Sequence, residues 1–98
     1  MNATEIELGI GKYSGRIPEG ILDALRLYAV HHYQPGGFLT AVLSNDLFDA
    51  MGRADPEGAR CLREICQCVY NELPGPCWKS REAVKAWIDC RIPVESQR

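Results

Sequence analysis

The stretch PGGFLTAVLSNDLFDAMGRAD, residues 35–55, holds the key to the chain's architecture. Pro35, Gly36 and Gly37 end whatever precedes them, and from Phe38 to Met51 the residues are apolar almost all the way round, with Gly52 placed to cap the end. Set at intervals of about 100°, Leu39, Val42, Leu43, Leu47 and Ala50 fall on one side of a single helix, and Ala41 and Phe48 on the other. Asp46 falls inside the first group. An ionised carboxylate buried without a partner costs several kcal/mol, on the scale of the whole stability of a small domain. Asp46 therefore pairs with Arg16, Arg26 or Arg53, bonds a backbone amide, stays wet, or serves as a ligand-binding or catalytic group; a pair or an amide bond is the commoner solution.

On the N-terminal side, Pro18 suits a first helical position and Glu19 the positive end of the helix dipole, so a helix is expected from Pro18 to Tyr33. Ile21, Leu25, Tyr28 and His32 line one face with Leu22 and Ala29 beside them, while Leu27 and Val30 point elsewhere. Before it, Ile6, Leu8 and Ile10 alternate among Gly9, Gly11 and Gly15, which reads as an extended N-terminal arm and loop over 1–17. Downstream, Asp55-Pro56-Glu57 starts a helix expected over Pro56–Leu73, with Leu62, Ile65, Cys66, Val69 and Leu73 as its core stripe. Pro74-Gly75-Pro76 stops it, and Ser80 caps a last helix, Arg81–Asp89, with Ala83, Val84, Trp87 and Ile88 inward. Residues 92–98 read as a loose tail. The expectation is one domain over 1–98, an all-α small four-helix bundle with an extended N-terminal arm. Surplus apolar residues, Leu27, Val30 and Phe48 among them, predict a second contact surface and a homo-oligomer.

Composition narrows the function. A 46% hydrophobic and 24% charged chain of 98 residues is globular in type. Its formal charge of −2 argues against duplex nucleic acid as a partner. The start lacks a basic then apolar leader, and no apolar run reaches the length of a membrane span, so no membrane association and a cytoplasmic location are expected. Cys61, Cys66, Cys68, Cys77 and Cys90 are odd in number and match no common zinc spacing, so they read as reduced thiols with no metal and no cofactor. Cys61 and Cys68 share a helical direction, where a thiol-sensitive contact could form.

Several residues could carry ligand chemistry. Trp78, Lys79 and Arg81 place an aromatic plane and two cations at a helix start, a combination that stacks a base and meets phosphates, although a Trp there also plugs a bundle end. Tyr13, Arg16 and Tyr28 offer a similar set across a subunit boundary. Gly37 presents a bare amide at a helix start, more often simply a tight turn. His32, with His31 beside it, lies near a helix end, where an imidazole bonds the last carbonyls; no serine or cysteine motif accompanies it, and no catalytic residue is assigned.

The segments GRIPEGILDAL, PGGFLTAVLSNDLFDAMGRAD and VYNELPGPCWKSREAVKAWI resemble short uncharacterised helical accessory proteins of tailed bacteriophages and prophages, over most of residues 13–88. The resemblance implies a context, that of countering host defence in the host cytoplasm. On that footing the expected function is a non-catalytic protein, not an enzyme, that sequesters a cyclic nucleotide or ADP-ribose-type signal in an oligomeric pocket. The alternative is an inhibitor or adaptor that binds a host defence protein through an exposed apolar patch.

Overall fold

The computed structural model describes residues 1–90, so the tail 92–98 lies outside the described residues. Seven α-helices and one 3-10 turn account for the architecture, and no β-strand occurs among the described residues. The helices are α1 (Ala3–Gly11), α2 (Glu19–His31), α3 (Gly37–Leu43), α4 (Leu47–Arg53), α5 (Pro56–Arg60), α6 (Leu62–Glu72) and α7 (Arg81–Cys90), with the 3-10 turn at Gly75–Cys77.

The all-α class is as expected, but the elements are shorter and more numerous than four, and the extended arm is replaced by α1. The Asn2 side chain accepts from the Glu5 amide at 2.8 Å while the Glu5 carboxylate accepts from the Asn2 amide at 3.2 Å. This reciprocal cap satisfies two donors that a helix start otherwise leaves open. Ile6 and Ile10, one turn apart, enter the core and leave Leu8 outside; a helical period explains the same three residues that alternation assigned to a strand. Gly9 lets α1 lie close on α6, since a Cβ there would run into the Glu72 side chain.

The helix expected over 38–51 breaks in the middle. The Asn45 amide donates to the Val42 carbonyl and the Asp46 amide to the Ala41 carbonyl, both at 3.0 Å, while Asn45 takes φ +63°. That pair of bonds around a left-handed residue is the Schellman stop, and Asn tolerates the conformation better than most residues. Asp46 then accepts the Asp49 amide at 3.1 Å and starts α4. The carboxylate that looked misplaced on an apolar helix face is a helix cap.

A left-handed residue also closes α2, with a different pattern of bonds. His32 sits at φ +62°, its amide donating to the Tyr28 carbonyl at 3.0 Å and that of Tyr33 to the Leu27 carbonyl at 3.2 Å. Here the left-handed residue turns inward. His32 is buried, its Nδ1–H donating to the Trp87 carbonyl at 2.7 Å and its ring centroid 4.5 Å from that of the indole at a tilt of 39°. Trp87 Nε1–H donates to the Tyr28 carbonyl at 2.9 Å, and the Tyr28 hydroxyl donates to the Cys77 carbonyl at 2.5 Å. Three elements, α2, the 3-10 turn and α7, are thus tied by buried bonds inside a core that also holds Ile6, Leu25, Leu43 and Ile65.

The helix expected over 56–73 is interrupted once, at Cys61, whose backbone leaves the helical region at φ −106°, ψ 15°. Its thiol donates to the Glu57 carbonyl at 3.1 Å. Cys66, assigned from the sequence to the core stripe of this helix, is exposed, and Cys68 is buried in its place.

Candidate functional site

The break at Asn45 sets the most unusual surface of the molecule. A continuous helix would carry Leu47 inward beside Val42 and Leu43; the reversal instead turns α4 so that only Ala50 of its seven residues is buried. Leu47, Phe48 and Met51 are 60%, 88% and 46% exposed. On a helix these three span about 100° of one face. The charged residues of α4 are tied elsewhere: Asp49 accepts from Arg53 Nε at 2.9 Å, and the Arg53 guanidinium lies over Gly37, where a Cβ would meet its Nη1 at 2.9 Å. Beside α4 a narrow groove is lined by Val42, Leu47, Ala50, Leu62 and Cys66.

Arg81 fastens α4 to the body. Its Nη2 donates to Asp46 Oδ2 at 2.8 Å and to Asp49 Oδ2 at 3.1 Å. The Arg81 guanidinium, and after it the Asp49 amide, hold the Asp46 carboxyl below the usual carboxylate range. The partner of Asp46 is therefore Arg81, together with a backbone amide, and not Arg16, Arg26 or Arg53. Both Asp46 and Arg81 remain partly in solvent, so the pair orients α4 more than it stabilises the fold.

On its other side Arg81 lines a cleft of about 330 Å³ between α3 and α7, together with Gln34, Thr40, Ser44, Val84, Lys85, Ile88 and Asp89. Ser44 is 7% exposed and its hydroxyl has no hydrogen-bond partner among the described residues.

The remaining sequence-assigned residues fall into separate groups. Tyr13 is buried, its hydroxyl accepting from Asn71 Nδ2 at 3.3 Å, with the Arg16 guanidinium 4.6 Å above its ring. Arg16 lines an open cleft of about 610 Å³ with Arg60, where Glu19, Glu57 and Glu64 outnumber the two cations. Tyr28 and His32 belong to the buried tie with Trp87, away from any surface that a ligand could reach. Trp78 packs against the core with the Tyr70 ring edge-on at 5.8 Å and Lys79 Nζ 5.4 Å from its centroid, so it plugs the bundle end. Lys79 has φ +108°, and its amide donates to the Leu43 carbonyl at 2.9 Å. Gly37 follows the cap of α3, and Arg53 occupies the space above it. Arg16, Gly37, Asp46 and Arg81 line four different clefts.

Of the apolar surplus, Val30 is buried and Leu27 half-buried, so Phe48 alone of the three expected residues stands out on the surface. Leu47 and Met51 went unrecognised. The signal lay in Asn45-Asp46, a residue pair that favours a left-handed stop followed by a new cap.

Burial pushes the thiols of Cys68 and Cys77 up to about 12 and raises that of Cys61 as well, so these three are protonated at neutral pH and poor nucleophiles. The contact envisaged at Cys61 and Cys68 is closed to solvent, since both are buried. Among the described residues no group of three His, Cys, Asp or Glu side chains is placed to hold a metal ion, and no helix is long and apolar enough to cross a membrane. Compared with known proteins, the chain matches no family model, no curated protein and no solved structure.

Proposed function

We propose that the chain is a non-catalytic protein-binding module whose working surface is the outward face of α4. One observation carries the reading: Phe48 is 88% exposed between Leu47 and Met51 on a helix whose charged side chains are engaged with one another and with Arg81. A contiguous apolar stripe of this kind marks a docking surface more often than a neutral accident of sequence, and a buried aromatic anchor is the usual centre of an interface. The likeness to phage accessory proteins makes a host defence protein the partner of choice.

The nucleotide-trapping reading has less behind it. Its rings and cations are dispersed, Tyr28 and His32 are core residues, and the one cleft that Arg16 shares with another cation carries an excess of carboxylates.

The test places a photo-activatable cross-linking residue at position 48, and in a second protein at exposed Leu8 on α1, inside a bacterium that produces the chain. A discrete adduct with one protein at position 48, missing at position 8 and suppressed when Met51 is also changed to Glu, supports the reading. Equal, diffuse labelling at both positions defeats it. Adducts joining two copies of the chain make the partner a homo-oligomer.

A further inference from the structure

We propose that the groove between α4 and α6 takes an amphipathic helix of the partner protein, one whose apolar face is flanked by carboxylates. The inference rests on α4 being the docking surface and adds the kind of segment it receives. At about 60 Å³ the groove lined by Val42, Leu47, Ala50, Leu62 and Cys66 is far below the range for small-molecule sites and holds one short aliphatic side chain. Its apolar surface runs on past the opening. Leu47, Phe48 and Met51 rise on the α4 side, and on α6 Cys66 and then Tyr70, 73% exposed, follow Leu62 at intervals of four residues. Such residues stand about 6 Å apart along the axis, the same repeat at which a second helix presents its own side chains. A partner strand has nothing to pair with, since no β-strand, and hence no open sheet edge, occurs among the described residues.

Charge sets the flank. On the α4 side Asp46, which also lines the groove, and Asp49 are met by Arg81 and Arg53. On the α6 side two cations are left over. Arg63 falls within about 20° of Tyr70 around the helix axis. Lys79 Nζ lies 5.4 Å from the centre of the Trp78 ring, which Tyr70 meets edge-on at 5.8 Å. Neither Arg63 nor Lys79 has a carboxylate partner among the described residues. Glu64, in the first turn of α6, projects about 100° beyond Arg63 and lines the cleft of Arg16 and Arg60 instead. The α6 wall thus sets unpaired positive charge beside an apolar stripe, and a partner helix with Glu or Asp along that edge complements both.

The probes are two labelled synthetic helical peptides with the same leucine face, one flanked by Glu and the other by Lys, read by fluorescence anisotropy with the full chain. The Glu peptide is expected to bind about tenfold or more tightly than the Lys peptide, with the gap closing in about 1 M salt, where charges are screened within about 3 Å. Arg63→Glu and Lys79→Glu should each cut the preference about threefold or more, whereas Arg60→Glu, which changes net charge equally but lines the other cleft, should keep it. Phe48→Glu should weaken both peptides about tenfold, which places them on the α4 face. Equal affinities, a preference untouched by Arg63→Glu and Lys79→Glu, or no binding of either peptide at about 1 mM overturns this inference and leaves the docking role of α4 to the cross-link at position 48. Unweakened binding by Phe48→Glu overturns it too. A dimer in sedimentation of the chain alone, lost in Phe48→Glu, gives the face to a second copy and likewise overturns it.

Discussion

The chain stops two helices on a left-handed residue and uses the stops for opposite ends. At the end of α2 the left-handed residue is His32, and its ring is carried into the core against Trp87. At the end of α3 it is Asn45, exposed, and the reversal moves the next helix, whose apolar side chains it presents to solvent. The bonding differs in register: the amide of the left-handed residue reaches back four residues at His32 and three at Asn45. The larger difference lies in the surroundings of each turn, a buried hydrogen-bond network in one case and an ionic fastening at the surface in the other. Burial is concentrated at the first, and the second presents the face proposed for recognition.

Substitutions at the two stops test this contrast. Trp87→Ala should have the largest effect, lowering stability by about 3–5 kcal/mol in urea unfolding, because it opens a cavity and leaves the Tyr28 carbonyl without its donor. Glycine at both stops is the direct comparison. His32→Gly relieves the left-handed backbone but loses the ring and its bond to Trp87, for a loss of about 2–4 kcal/mol. Asn45→Gly relieves the same conformation and loses nothing buried, so its stability in urea should stay within about 0.5 kcal/mol of wild type.

The ionic fastening has a pH signature. Asp46 is held below its ordinary value of 3.8 in the folded chain, chiefly by Arg81. A carboxyl lowered in this way stabilises the native state above the unfolded value, and that contribution fades as pH falls through the lowered one. Melting of D46N should therefore lie below wild type at neutral pH, and the gap should close as the pH drops below 3.8. Phe48→Glu should change stability least of all, by less than about 0.5 kcal/mol in a thermal melt, while abolishing the cross-linked partner.

The helix class, the starts at Pro56 and Arg81, and the inward Val84 and Trp87 were legible because capping residues and a period near 3.6 mark them locally. Three features were not. Ile6, Leu8 and Ile10 satisfy alternation as well as a helical period over so short a run, and the deciding signal was the Asn2–Glu5 cap. Leu39 to Ala50 gives one continuous helical face on paper, so the reversal at Asn45 stayed hidden behind a good period. The assignment of Asp46 failed with it. Which cation meets Asp46 depends on α3 and α7 lying side by side, a long-range relation between residues 46 and 81 that no local pattern encodes.

The attachment of α4 sets an order in which the molecule comes apart. A seven-residue segment with a single buried methyl group and a salt-screened clasp has little to hold it once that clasp lets go, whereas the tie through Trp87 persists until the whole chain unfolds. Amides of 47–53 can thus exchange with solvent hydrogen through brief local opening at moderate ionic strength, while the interior stays shut. In the docking role proposed for it, a helix on such a tether can reshape itself to fit a partner without disturbing the scaffold that presents it.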